Sequence, residues 1–377
     1  MDGLNVFDEL LYVYDKYIVK GCNNKKKIYL FEKNKMTNIN NINNIYNKIL
    51  NYNVSSYNIF LIKYPKYRIV MSLNMYDKVI NQYITLKYLI PNLTKYLDDR
   101  NIATRKGYGT DYGIKLIKKY IEKNKKYGKF YILKLDISKY FYNIDHDILK
   151  SMLKGRLDDF SYNIICKIMD STNELYINEK IIKLKNNELK YNYRINEIKE
   201  IPIYRYDKGL PIGNMTSQFL AIYYLYKLDH YIVHDLKIKY MIRYMDDYIL
   251  IHYDKNYLKK CLLDISEKLE KEYKLAVNTK KTKIYESDSG FNFLGYKFKV
   301  INNKTIVKIS KCTIFRIRKR IKYIIKNYSI IVIILNKIYF NFCHYYNSFS
   351  NYYNSFKYSK SFKIKRTINK RPLRSFK

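Results

Sequence analysis

The chain has 377 residues, 47% of them hydrophobic, and 72 Lys and Arg against 33 Asp and Glu, a formal charge of +39. That length supports a large core with two or three subdomains, and the basic excess excludes a balanced surface and points to a polyanionic partner, most simply nucleic acid. Five scattered cysteines (Cys22, Cys166, Cys261, Cys312, Cys343) without a CxxC pair argue against disulfides and a zinc site, no secretory signal is visible, and the longest purely apolar run, Ile330 to Leu335, is too short to span a bilayer.

A soluble, intracellular protein with no membrane partner is therefore expected. Only 13 of the basic residues are Arg, and Lys, Asn, Ile and Tyr abound, as in an AT-rich genome. That bias raises Lys but does not explain the shortage of acids.

In chain order, residues 1–50 read as helices separated by the polar stretch Gly21 to Lys27 and by an Asn-rich segment at 38–47, a loop or helix surface shaped by drift. Residues 59–70 read as strand, Pro-marked turn and strand, followed by a helix from Tyr76 to Leu89. Arg105 to Thr110 is a basic, glycine-containing loop opening onto a helix that reaches about Lys125. Phe130 to Ile137 is a short apolar strand carrying Asp136 near its end, and Asp147 is the expected N-cap of a helix over Ile148 to Leu153. Residues 173–207 alternate polar and apolar and predict a small strand-rich excursion. Gly209 to Gln218 is a loop leading into a long apolar helix, Phe219 to Leu236.

Met241 to Ile251 follows: two apolar arms of a hairpin with Asp246-Asp247 at its tip. A helix at 256–273, a strand near Lys283, a turn at Ser287 to Gly290 and a strand from Phe291 to Val300 come next. From 301 onwards the chain is basic and aromatic, and helices are expected. The irregular alternation of helices and strands predicts an α+β fold with a mainly antiparallel sheet.

Adjacent carboxylates repel unless a cation lies beside them, and oxygen-only ligands favour Mg²⁺. If the strand ending at Asp136 neighbours the hairpin, Asp136, Asp246 and Asp247 converge. Such a group binds two Mg²⁺ ions, the requirement of in-line phosphoryl transfer. Strand alternation predicts that Asp246 faces Asp136 while Asp247 points the other way as a weaker ligand. His230 and His234 read as plain helix surface, and Asp229 as a structural hydrogen-bonding group.

These residues resemble reverse transcriptases. Leu135 to Phe141 looks like the first catalytic palm motif, Tyr244-Met245-Asp246-Asp247 like the second, Leu275 to Thr282 like the lysine-bearing motif, and Phe293-Leu294-Gly295-Tyr296 like the primer-grip turn. Lys66-Tyr67-Arg68-Ile69 is similar to the basic fingers hairpin, and Arg105 to Thr110 to the loop that follows it. The matches keep the family's order over about residues 57–300. The resemblance implies a right-hand polymerase: an N-terminal segment and fingers (1–127), an antiparallel, RRM-like palm (128–300, with an excursion at about 150–208), and a short, basic helical thumb and tail (301–377).

By the same resemblance, Asp136, Asp246 and Asp247 are the catalytic carboxylates, with the carbonyl of Ile137 a further metal ligand. Lys281 assists the leaving pyrophosphate. Lys66 and Arg68 hold the triphosphate, Phe141 lies under the sugar and excludes a 2′-hydroxyl, and Ile212, Gly213 and Gln218 line the nucleotide, Gly213 by letting backbone approach it. Arg105 and Lys106 grip template backbone, and Tyr244, Met245, Leu294 and Gly295 meet the primer. Tail tyrosines Tyr345, Tyr346, Tyr352 and Tyr353 stack bases or pack a thumb helix.

Ile212-Gly213 and Ser217-Gln218 stand where most of the family carries Gln-Gly and Ser-Pro, and look like diversity-generating retroelements. That implies error-prone cDNA synthesis from dNTPs on an RNA template with a DNA or RNA primer, beside a basic accessory protein, in a prokaryotic cytoplasm or encoded by a phage. The alternatives are a retron-type or defence-associated reverse transcriptase, a group II intron protein, and a catalytically silent nucleic-acid-binding protein on the same fold.

Overall fold

The structure, a computed structural model, describes residues 5–22, 24–48, 53–64, 66–191 and 194–327. It divides into one unit over Met1–Ser310 and a second over Lys311–Lys377. The described part of the second is one basic helix, Lys311–Asn327. The tail tyrosines and the apolar run at Ile330 lie outside the described residues.

Nine strands form three antiparallel sheets among the described residues. Strands β1 (Asn58–Ile62) and β2 (Arg68–Ser72) make a hairpin. Strands β3 (Tyr131–Asp136), β4 (Tyr240–Tyr244), β5 (Asp247–His252) and β6 (Lys283–Glu286) form the central sheet in the order β4-β5-β3-β6. Strands β7 (Phe291–Phe293), β8 (Tyr296–Ile301) and β9 (Lys304–Ile309) form the third.

Strands β3, β4 and β5 are buried on both faces, which is why they read as nearly continuous apolar runs, whereas the edge strand β6 has no fully buried residue. Ile132, Ile242, Ile249 and Ile251 pack with Ile114, Ile117 and Ile121 of the helix Thr110–Asn124 and with Phe291, Phe293 and Phe298. On the other face Leu133, Leu135, Tyr248 and Leu250 join a larger core with the helices Met215–Tyr224 and Lys255–Tyr273 and the N-terminal helices. Both faces of the sheet therefore rest on packed side chains, and the fold is α+β.

The Asn-rich segment is a helix, Lys35–Asn47, whose Ile39, Ile42 and Tyr46 are buried at helical spacing. Residues 173–207 are not strand-rich. They hold the helices Leu175–Leu189 and Ile195–Lys199. Ile177, Ile181 and Leu184 form an i, i+4, i+7 stripe on β1 and β2, so a helical period between lysines imitated alternation. The capping residue before Leu149 is Asp145, not Asp147. Its carboxylate accepts the Ile148 N–H at 3.2 Å, and the helix runs His146–Leu153.

The long apolar helix starts at Met215 and breaks at Leu225, resuming as Tyr226–His230 and a π-helical turn, Tyr231–Asp235. Helix does not begin at 301 either. Asn302 and Asn303 take φ of +47° and +55°, which Asn tolerates, and turn β8 into β9. Among the described residues no helix is long and apolar enough to cross a membrane.

Candidate active site

Tyr244 pairs with Asp247 across β4 and β5, leaving Met245-Asp246 as a two-residue loop. Met245 sits at φ +57°, a conformation normally left to Gly in such turns, and so carries strain of order 1 kcal/mol. Two bonds hold the loop: Arg243 Nη1 donates to the Met245 carbonyl at 3.2 Å, and the Ile137 N–H donates to the Asp246 carbonyl at 3.3 Å. In the register of the sheet Asp136 lies opposite Asp247, so these two carboxylates share a face. This differs from the expectation that Asp247 points away. Asp246 belongs to the turn, where strand alternation does not apply, and both of the pair reach Asp136.

Asp136 is buried, and Lys281 Nζ bridges both its oxygens at 2.8 and 2.7 Å. The segment around Lys281 wraps the strand end. Thr282 Oγ1 accepts the Asp136 N–H at 3.2 Å, and the Asn278 N–H donates to the Asp136 carbonyl at 2.7 Å. Burial, then the charges of Asp247 and Asp136, push the Asp246 carboxyl up to about 6. Burial raises Asp247 too, opposed by Lys134, whose Nζ stands 4.0 Å from its Oδ1. That Oδ1 is buried and has no hydrogen-bond partner among the described residues.

Three converging carboxylates thus face one close lysine and one distant one, with an orphaned oxygen among them. The donors are all oxygen and the site is short of positive charge, which fits a hard divalent cation such as Mg²⁺. Asp136, Asp246 and Asp247 are the side chains that would hold it.

The other residues singled out in the sequence are spread over several elements. Lys66 is exposed near Glu197, and Arg68 opens β2, also exposed. The loop before the helix Met215–Tyr224 is tied to β2: the Met71 N–H donates to the Ile212 carbonyl at 2.8 Å. Gly213 lies at φ +133°, and a Cβ there would stand 2.9 Å from the Met71 carbonyl oxygen. The close approach that demands this glycine in the structure is to β2. Phe141 is half-buried beside Tyr140, and its carbonyl accepts the Leu210 N–H at 2.8 Å, so it adjoins the same loop. Gln218 is half-buried, with its backbone N–H on the Asn214 carbonyl at 3.2 Å.

Arg105 is engaged within its own loop, its guanidinium donating to the carbonyls of Asp98 (2.8 Å) and Asn101 (3.1 Å) and lying over the Tyr108 ring. That leaves the exposed Lys106 as the cation presented outward there. Leu294 and Gly295 both take positive φ (+49° and +84°) and form the two-residue turn between β7 and β8. Tyr244 is half-buried at the end of β4.

Two clusters go beyond the sequence reading, which gave Asp229 a structural hydrogen bond but no partner. Arg243 and Asp229 form a wholly buried ion pair, Nε to Oδ1 at 2.7 Å. A charge within an apolar strand arm was the available signal, since such a group is seldom buried unpaired. His146, Asp170 and Asp207 bring ligand atoms within 4.8 Å of one another. His146 Nε2 donates to the Gly209 carbonyl at 2.7 Å, and Nδ1 lies 3.2 Å from Asp170 Oδ1. Lys150 already stands 2.7 Å from Asp170, and Asn173 donates to Asp207 at 2.7 Å. With these partners the group reads as a hydrogen-bonded buttress under Gly209 rather than an ion site. His230 and His234 stack at 5.7 Å, with His230 Nε2 on the Tyr96 carbonyl.

No curated protein is similar enough to this chain to count as a match. Among solved structures the chain is similar to apo telomerase from Candida tropicalis truncated from the C-terminal domain (18% identity, 68% of this chain and 55% of that one, TM-score 0.41). It is also similar to telomerase from Candida albicans in complex with a fragment of telomeric RNA (14% identity, 71% and 49%, TM-score 0.44). The chain thus spans about half the length of these structures. The family model for reverse transcriptase (RNA-dependent DNA polymerase) matches residues 63–298, which include β2, the Ile212 loop, all three carboxylates and Lys281, and the chain belongs to that family.

Proposed function

We propose that this protein is an RNA-directed DNA polymerase that extends a primer 3′-hydroxyl on an RNA template, consuming dNTPs and releasing pyrophosphate. The observation that carries the reading is the meeting of Asp136, Asp246 and Asp247 at one end of the central sheet, with the Asp247 Oδ1 unpartnered. Two Mg²⁺, when bound there, would activate the attacking oxygen and stabilise the leaving oxygens. The chain's own contribution is to hold the carboxylates at fixed separation and to supply cations. Lys281, half-exposed, is long enough to turn from Asp136 towards a leaving pyrophosphate, and Lys66 and Arg68 are exposed on the hairpin, where they would meet a triphosphate.

Primer extension on poly(rA) with an oligo(dT) primer and Mg²⁺ tests this: dTTP incorporation is expected, and folded protein that incorporates none overturns it.

Within that class we propose the diversity-generating type, acting with a structured template RNA and a basic accessory protein. Support comes from Ile212, a half-exposed apolar side chain on the loop pinned to β2. It adds bulk to the site but offers no amide to a base pair. Restoring one polar contact worth roughly 1 kcal/mol changes discrimination about fivefold. Ile212→Gln is therefore expected to lower misinsertion about fivefold, read by sequencing cDNA copied from a defined template. Equal error frequencies in the two proteins would refute the role given to Ile212.

A further inference from the structure

The buried Arg243–Asp229 pair has a geometry that stability alone does not require. Its guanidinium is fully enclosed, and Asp229 meets it side-on, with Nε to Oδ1 at 2.7 Å and Nη2 to Oδ2 at 2.5 Å. Tyr248 donates its hydroxyl to the same carboxylate at 3.0 Å. The remaining donors reach two carbonyls. Nη2 meets Ile222 at 2.8 Å, in the last turn of the helix Met215–Tyr224, where carbonyls lack helical partners. Nη1 meets Met245, the strained first residue of the carboxylate-bearing turn.

The backbone of Arg243 is fixed as well: its N–H donates to the Arg100 carbonyl and its carbonyl accepts the Ile102 N–H, both at 2.9 Å. Charges so buried contribute little net stability, because desolvation offsets their attraction, and apolar replacements of similar volume are commonly neutral. What a hydrocarbon cannot do is hold the Met245 carbonyl. From the β3 side the turn is secured by the long Ile137 bond at 3.3 Å.

We infer that Arg243, oriented by Asp229, is a positioning residue that sets the Met245-Asp246 turn, and with it the separation of the metal-binding carboxylates. This rests on the polymerase reading for its consequence, but its geometry is independent of the substrate. Loss of such an outer support typically weakens metal binding or activity by about 10- to 100-fold.

The test is the double variant Arg243→Met/Asp229→Leu in the full chain, which removes both charges at similar volume. Thermal melting, Mn²⁺ binding by the EPR signal of the free ion, and kcat and KM for dTTP in primer extension are measured. The double variant is expected to melt within a few degrees of wild type, to bind Mn²⁺ at least about 10-fold more weakly, and to lose kcat while KM for dTTP changes little. Wild-type Mn²⁺ affinity and kcat in that variant would overturn the inference.

Arg243→Lys covers the case in which the double variant does not fold. It keeps the charge beside Asp229 but lacks the planar fork that also reaches Met245, so the same two losses are expected and their absence is decisive. A wild-type protein inactive in primer extension sinks the polymerase reading. An active wild type beside an undamaged variant sinks this one.

Discussion

Asp246→Asn is expected to cut primer extension by at least about 10³-fold, roughly 4 kcal/mol of transition-state stabilisation, while raising the melting temperature of the metal-free protein. Both effects have one origin. Asp246 is half-buried between two other carboxylates, and its carboxyl titrates at about 6 instead of the usual 3.8. Ionising it in the folded state is unfavourable, which is the condition for attracting a cation and a burden on the fold without one. Because the folded pKa lies above the unfolded one, the folded state binds the extra proton between about pH 4 and 6. The metal-free wild type should therefore lose stability relative to the Asn variant as pH rises through that window, with the full deficit present above 6. Stabilisation by Mg²⁺ should follow the opposite course, small at pH 5 and large at pH 7.5, and should be largely missing in Asp246→Asn. Parallel melting curves with and without Mg²⁺ at the two pH values read all of this. An Asn variant that extends primers, or that melts below wild type at pH 7.5 without metal, contradicts the assignment.

The parts of the site that are contiguous in the chain are legible in the sequence. Asp136 closes an apolar strand and Asp246-Asp247 interrupt apolar arms, so both elements and their carboxylates follow from hydrophobic period alone, and antiparallel pairing brings them together. What is not legible depends on partners far away. The glycine at 213 answers to the Met71 carbonyl, and the arginine at 105 to carbonyls of its own loop, so neither residue type reveals its partner in advance. The roles of Asp246 and Asp247 differ from simple alternation because a two-residue turn, not an extended strand, carries the first of them. Arg243 lies two residues before the strained turn, yet its counter-ion is on a helix fourteen residues upstream. At 173–207 a helical stripe diluted by Lys and Asn passed for alternation, and the deciding fact, burial of Ile177 and Ile181 against β1 and β2, is tertiary.

Gly213→Ala should be the most damaging single-methyl change in the loop tied to β2. Two costs act there together. The residue's φ of +133° lies where L side chains are strained, and the added Cβ would meet backbone oxygen of Met71 at 2.9 Å and Val70 Cγ1 at 3.2 Å. A flexible side chain could yield, but a strand carbonyl cannot without moving β2, and the Met71–Ile212 hydrogen bond would lengthen with it. Strain and overpacking of this kind cost about 1–3 kcal/mol each, a fall in melting temperature of several degrees. On the polymerase reading, the loop carrying Ile212 and the strand carrying Arg68 separate, so KM for dNTP should rise about tenfold while kcat falls less, the mark of lost ground-state binding. Gly109 supplies the control. Its φ is +131°, yet a Cβ there meets nothing within 4 Å. Gly109→Ala therefore carries the backbone strain alone and should lower the melting temperature without shifting KM for dNTP. If the two variants lose equal stability and neither alters KM, the contact between the Gly213 loop and β2 does not shape the nucleotide site.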